Sequence, residues 1–188
     1  MNPIPLMSES LAARIAKRRD SNCPELWDLL DQVKDPEIPV LSLWDLGVLQ
    51  DVAVQSVALQ NVALQELGGQ HQAVRITIIP TYSGCPALRE MQQDIRDVLM
   101  AAGYTNQQIT VETQLAPAWS TDMISHEGRQ QLQEYGIAPP VNHLGAAVIC
   151  PLCSSSQTRL ISQFGSTACK ALYRCERCAE PFDYFKCL

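Results

Sequence analysis

Charged side chains are in short supply: 18% of the 188 residues are Asp, Glu, Lys or Arg, against 46% hydrophobic. That balance excludes a disordered chain and implies a buried core. Basic residues are the scarcer sign, 14 against 20 acidic, for a net charge of −6. Such a surface repels phosphate backbones and excludes general nucleic-acid binding. No apolar run reaches the length that crosses a bilayer, so no membrane is expected. The first residues, MNPIPLMSESLAARIAKRRD, set their charges after their apolar side chains, the reverse of a secretory signal. A reducing, cytoplasmic setting is therefore expected. Histidine is rare too: His71, His126 and His143 fall in no motif resembling a catalytic pair.

Cysteine, by contrast, is plentiful, with eight in the chain. In a reducing compartment these read as metal ligands or reactive thiols before disulfides. A filler of the core is a fair description of Cys23 and a poor one of the C-terminal cluster.

Along the chain, residues 1–22 read as a flexible leader in which Arg14, Lys17, Arg18 and Arg19 sit on a solvated arm. Residues 23–118 alternate helix, strand, strand, helix and strand, which predicts an α+β fold, a two-layer α/β sandwich. Its first helix is expected from Pro24 to Val33, broken by DPEIP (Asp35 to Pro39). The tetrapeptide VALQ is duplicated within 57–65 and reads as an extended or bulged hairpin arm closed near Gly68-Gly69. Leu88, Met91, Ile95, Val98 and Ala102 recur at helical spacing, and Gly103 supplies the stop. Residues 119–145 read as a polar helix followed by a Pro/Gly linker, and 146–188 as a separate module.

That module carries CPLC (Cys150, Cys153) and CERC (Cys175, Cys178). A C-x-x-C turn lets two thiolates converge on one ion, and two such turns complete a tetrahedron. So short a segment has too little apolar area to fold alone, so a metal supplies much of its stability. A closed set of four sulfurs makes the site structural, and zinc (Zn) is favoured, in a four-cysteine zinc ribbon. Cys169 and Cys187 are alternate ligands, and with one of them in place of a knuckle residue the site would hold an iron–sulfur cluster instead.

One thiol stands apart. Cys85 precedes Pro86, a residue favoured at the first helical position, which predicts Cys85 at the helix N-cap. There the helix dipole and free N–H groups would lower its pKa. Thr81 and Ser83 lie beside it in TYSGCPA, and Asp35 and Glu37 in DPEIP are candidate oxygen ligands or a base. For the two carboxylates a plain capping and turning role has equal weight.

DPEIPVLSLWDLG, TYSGCPA and LAPAWSTDMIS together resemble the small domain shared by bacterial SufT-like proteins and the eukaryotic cytosolic iron–sulfur targeting factor. The later strings YGIAPP, CPLC and FGSTACKALYRCERCAEPFDYFKC are similar to the PaaD family, called PaaJ in some bacteria. This is the D subunit family of the phenylacetyl-CoA epoxidase system, and the resemblance spans Pro24 to Cys187. The VALQ arm is longer than the family's usual hairpin, and the basic leader carries no family motif. The resemblance implies an accessory role in aerobic phenylacetate catabolism. It implies transient iron or cluster handling at Cys85, and partners among the epoxidase subunits, above all the iron–sulfur reductase component. A homodimer would bring two Cys85 thiols together. The alternative is an enzyme, with Cys85 a nucleophile in acyl transfer on a CoA thioester; it needs a base within hydrogen-bond reach, and none of the three histidines sits in a motif that supplies one.

Overall fold

The computed structural model describes residues 8–56, 72–141 and 147–187. The VALQ arm, its turn at Gly68-Gly69, His71 and His143 lie outside the described residues.

The sheet at the centre of the N-terminal half is built from β3 (Leu49–Ser56), β4 (Gln72–Ile78) and β5 (Ile109–Thr113), in that order. β3 and β4 pair antiparallel, while β4 and β5 run parallel. A parallel pair needs a crossover, and α3 (Leu88–Ala101) provides it. On α3, Met91, Ile95 and Leu99 fall one turn apart and are all buried against the sheet's fully buried Val74, Ile76 and Ile78. α2 (Pro24–Leu30) adds Leu26, Trp27 and Leu30 to the same core. This is the α+β arrangement expected. α2 is shorter than expected, because the N–H groups of Asp31, Gln32 and Val33 tighten into a closing turn on Trp27, Leu29 and Leu30.

DPEIP does more than break the helix. It turns between two short strands, β1 (Lys34–Asp35) and β2 (Ile38–Ser42), which pair antiparallel. Oδ1 of Asp35 accepts from the N–H of Glu37 at 2.8 Å and of Ile38 at 2.7 Å, so this carboxylate builds the turn. The following WDLG segment bends at Gly47, whose φ is +84°; a Cβ there would lie 2.7 Å from that of Met123. Asp45 in the same segment accepts hydroxyl bonds from Ser42 at 2.7 Å and Ser125 at 2.6 Å. Ser125 in turn caps α4 (His126–Glu134) by accepting from Gly128. The motif residues of WDLG and STDMIS thus bolt the fold together.

The leader is a correction. Residues Glu9–Arg19 form a helix, α1, capped by Ser8, in place of a solvated arm. Arg14 is 4% exposed and donates to the carbonyls of Met123, Trp44 and Leu49, with its guanidinium 4.2 Å from the Trp44 ring centre. Burial pulls that guanidinium down to about 10. The basic pattern marked a docked face, with one arginine turned inward.

The C-terminal sheet is ordered β6 (Ile137–Ala138), β9 (Pro181–Phe185), β8 (Lys170–Cys175), β7 (Thr158–Ser162). β6 comes from the stretch expected to be linker, and pairs parallel with β9. Phe185 and Cys169 are buried in the same apolar cluster as the α2, α3 and β4 side chains. The ribbon is therefore seated on the sandwich.

Replacing Arg14 with Ala leaves three carbonyls without that donor. Chemical denaturation should show a loss on the order of 3 kcal/mol. Lys17→Ala removes only a half-exposed pair with Asp51, and should cost under about 1 kcal/mol. Equal effects would mean that α1 is not held by its buried arginine.

Candidate functional site

Two groups of thiols occupy different places. Cys150, Cys153, Cys175 and Cys178 have sulfurs all within 4.8 Å of one another. Cys150 and Cys178 are 3.8 Å apart, and Cys153 and Cys175 are 3.5 Å apart. A tetrahedron with metal–sulfur bonds of about 2.3 Å has edges of about 3.8 Å, so the four sulfurs fit one ion. Each knuckle turns back through a left-handed residue, Ser154 at φ 58° and Ala179 at φ 63°. Non-glycine residues there are uncommon, so the turn shape is imposed by what the thiols must meet. The N–H of Cys178, aided by that of Arg177, holds the Cys175 thiol down to about 6, ready to bind as thiolate. The geometry of the set suits it to hold one metal ion.

Cys169 and Cys187, considered as alternates, lie outside that set. Cys187 is exposed, donates to the Val141 carbonyl at 3.1 Å, and lies 3.3 Å from the Tyr184 hydroxyl. Cys169 is buried and turns toward the other half of the molecule, with Sγ 3.0 Å from Oγ1 of Thr167 and 3.9 Å from Oε2 of Glu37.

Cys85 is half-buried at the lip of the first core. It is not the N-cap of α3: that residue is Ala87, which makes no side-chain capping bond, and the helix begins at Leu88. Pro86 and Ala87 are taken up in a turn first, closed by the Leu88 N–H on the Cys85 carbonyl. At the other Cys-Pro pair Cys23 does occupy the N-cap position of α2, but it makes no side-chain capping bond, is buried and directs its thiol to the Val52 carbonyl. The N–H groups of Ala87 and Leu88 still pull the Cys85 thiol down. Burial nevertheless pushes the thiol up, and the charges of Glu37 and Asp35 push it further. The expected low pKa is therefore wrong in direction, because desolvation and two carboxylates outweigh the N–H donors.

The charges of both carboxylates act on Cys85, but the two differ in use. Asp35 is 4% exposed and committed to its turn, and burial raises its pKa. Glu37 is half-buried and its side chain has no part in the turn; its Oε2 lies 3.9 Å from the Cys169 sulfur. Ser83 is exposed and Thr81 half-buried; among the described residues neither bonds to the Cys85 sulfur. Sequence reasoning missed Tyr82, whose hydroxyl is raised by burial and then by the nearby Cys85, Glu37 and Cys169. It also missed Lys170, which is buried and has Nζ 3.5 Å from the Glu37 carbonyl. Nothing local marks these meetings, since Cys169 and Glu37 are 132 positions apart. His126 begins α4, beside Asp45 and Ser125. No described helix is long and apolar enough to cross a membrane.

Two family models match the chain: one described as an iron–sulfur cluster assembly protein, over residues 25–111, and one as the PaaD zinc beta ribbon domain, over 141–186. A curated Escherichia coli (strain K12) protein, provisionally named as the D subunit of 1,2-phenylacetyl-CoA epoxidase, is 44% identical over 180 residues, covering 93% of this chain and 99% of that one. Among solved structures, a domain of unknown function from Bacillus anthracis superposes with a TM-score of 0.42 at 23% identity, covering 64% of this chain and 95% of its own. A Mycobacterium tuberculosis protein, described as associated with [Fe-S] complex assembly and repair, gives 0.33 at 23% identity, covering 72% and 94%. With an assembly domain followed by that ribbon, and 44% identity along nearly its whole length, the chain belongs to the PaaD family.

Proposed function

We propose that this protein is an accessory maturation factor for the phenylacetyl-CoA epoxidase system of aerobic phenylacetate catabolism. In this reading it is not itself an enzyme. It works in the cytoplasm, and takes iron or an iron–sulfur cluster as cargo through Cys85. Its clients are epoxidase subunits, with the iron–sulfur reductase component foremost. The observation that carries this reading is the setting of Cys85: a half-buried thiol at the edge of the core, with Glu37 and Asp35 acting on it. A raised thiol is protonated and inert at rest. A thiophilic cation displaces the proton and draws on the carboxylates, so the site responds to cargo and not to small electrophiles. The same direction of shift weakens the acyl-transfer alternative. A nucleophile needs a neighbour that takes its proton, whereas Glu37 and Asp35 hold the proton on Cys85 by their charge.

We assign structural zinc to Cys150, Cys153, Cys175 and Cys178. Four sulfurs close the coordination shell and leave no position for exchange, which suits architecture and not delivery. The ribbon then serves to seat the C-terminal strands on the assembly domain and to present a face to the epoxidase.

Three outcomes test this reading. Cys85→Ser should abolish growth on phenylacetate while circular dichroism and thermal unfolding stay unchanged, and the reductase should accumulate without its cluster. Normal growth would remove the central residue of the proposal. Cys175→Ser should lose the one tightly held zinc per chain by elemental analysis and melt the C-terminal sheet; iron found in wild-type protein prepared without oxygen would favour a cluster there. Alkylation of Cys85 by iodoacetamide should have its midpoint above the ordinary thiol value of about 8.5. Glu37→Gln removes a negative charge, favours the thiolate and should shift that midpoint downward. A midpoint below the free-thiol value in the wild type would contradict the electrostatics described.

A further inference from the structure

Arg14 carries a positive charge into the interior with no carboxylate bonded to it. Its partners are three backbone carbonyls and the Trp44 ring, all of them neutral. Its Nε is a buried donor with no partner among the described residues. Asp45, whose charge acts on it, already accepts from the Ser42 and Ser125 hydroxyls. A buried cation is stabilised by an anion, and a buried donor by an acceptor.

The space for such a group lies beside it. In β4, Thr77 alternates with Ile76 and Ile78 and so faces away from α3, level with its partner Asp51 on β3. α1 lies over this second face of the sheet, tied to it by Lys17 and Asp51 at 3.0 Å. Between them opens a cavity of about 310 Å³, with Arg14 and Lys17 on the helix side and Asp51 and Thr77 on the strand side. Thr77 is 6% exposed, and its hydroxyl bonds to no other side chain or carbonyl among the described residues. Ile79, Pro117 and Met123 give the cavity an apolar side. The charges on its wall are two positive against one negative, and Arg14, even lowered to about 10, keeps its proton at neutral pH.

We propose that this cavity is a binding site for a small monocarboxylic acid with an apolar body. Its carboxylate is met by Arg14 and the Thr77 hydroxyl, and its body lies against Ile79, Pro117 and Met123. A wall with one net positive charge matches a monoanion, whereas a polyphosphate would bring charge that Asp51 repels. The volume is at the small end of ligand sites, about 300 Å³, where apolar contact supplies most of the affinity and a few polar groups fix orientation. Bound there, the acid joins α1 to the strands. The site does not depend on the role given to Cys85.

The test titrates full-length protein with phenylacetate, a probe that carries both parts, by isothermal titration calorimetry. Wild type should bind one equivalent with a Kd of about 1 mM or tighter. Acetate has the charge without the body, and phenylacetamide the body without the charge; each should bind about tenfold more weakly or worse. Arg14 also holds α1, so the variants that localise the site spare it. Lys17→Ala leaves Asp51 unpaired beside the ligand and should weaken binding about fivefold, while Asp51→Asn should tighten it by a similar factor. Both side chains are partly exposed, so circular dichroism should stay unchanged. Thr77→Val removes the hydroxyl, keeps the shape and should weaken binding about fivefold. An absence of saturable binding overturns the site, and so does phenylacetamide binding as tightly as phenylacetate. Binding that neither Lys17→Ala nor Asp51→Asn alters belongs elsewhere on the molecule, and overturns it equally.

Discussion

Phe185 is the side chain on which the arrangement of this molecule turns. It belongs by sequence to the last strand of the ribbon, yet it is fully buried in the core of the assembly domain, its ring 6.0 Å from that of Trp119. Burying an aromatic ring of this size is worth a few kcal/mol, roughly 2 to 3, and here that gain is available only if the ribbon sits where it does. Cys169 and Lys170 follow from that placement, since Lys170 pairs with Phe185 across β8 and β9. A small module that could have hung on a tether is instead locked in register with a distant loop.

Two kinds of thiol chemistry are kept apart by their surroundings. In the ribbon, the N–H groups of Cys178 and Arg177 favour the thiolate at Cys175, so a metal finds that ligand prepared. At Cys85 and Cys169, burial and neighbouring carboxylates favour the proton, so the thiols wait. Residue type does not separate these cases; the balance of burial against N–H donors does.

What the sequence disclosed was whatever depends on spacing. The helical stripe of α3, the alternation in β4 and the two C-x-x-C knuckles are periodic signals, and each element formed where its period placed it. Asp35 and Glu37 were also read from the sequence as candidate neighbours of Cys85, and their charges do act on its thiol. What stayed hidden was tertiary. The Cys-Pro pair at Cys85 looked like an N-cap, but Pro86 and Ala87 went into a turn instead. The leader's arginines looked solvated because nothing in a one-dimensional pattern says that Arg14 meets carbonyls from positions 44, 49 and 123. The roles of Asp35 and Glu37, two residues apart, diverged for the same reason: one carboxylate folds onto its own backbone while its neighbour faces a thiol far along the chain.

The pairing of β6 with β9 has an effect beyond topology. The strand that leads into the ribbon hydrogen-bonds in parallel to the strand that ends it, so the module is clasped at its base by the same sheet it contains. Entry and exit share one seam, and α4 abuts it through Arg129, which donates to the Pro140 carbonyl at 2.9 Å. Such a clasp ties the ribbon to the rest of the fold at both of its ends. Whatever loosens the four-sulfur cage therefore also reaches the seam where the chain enters and leaves the ribbon.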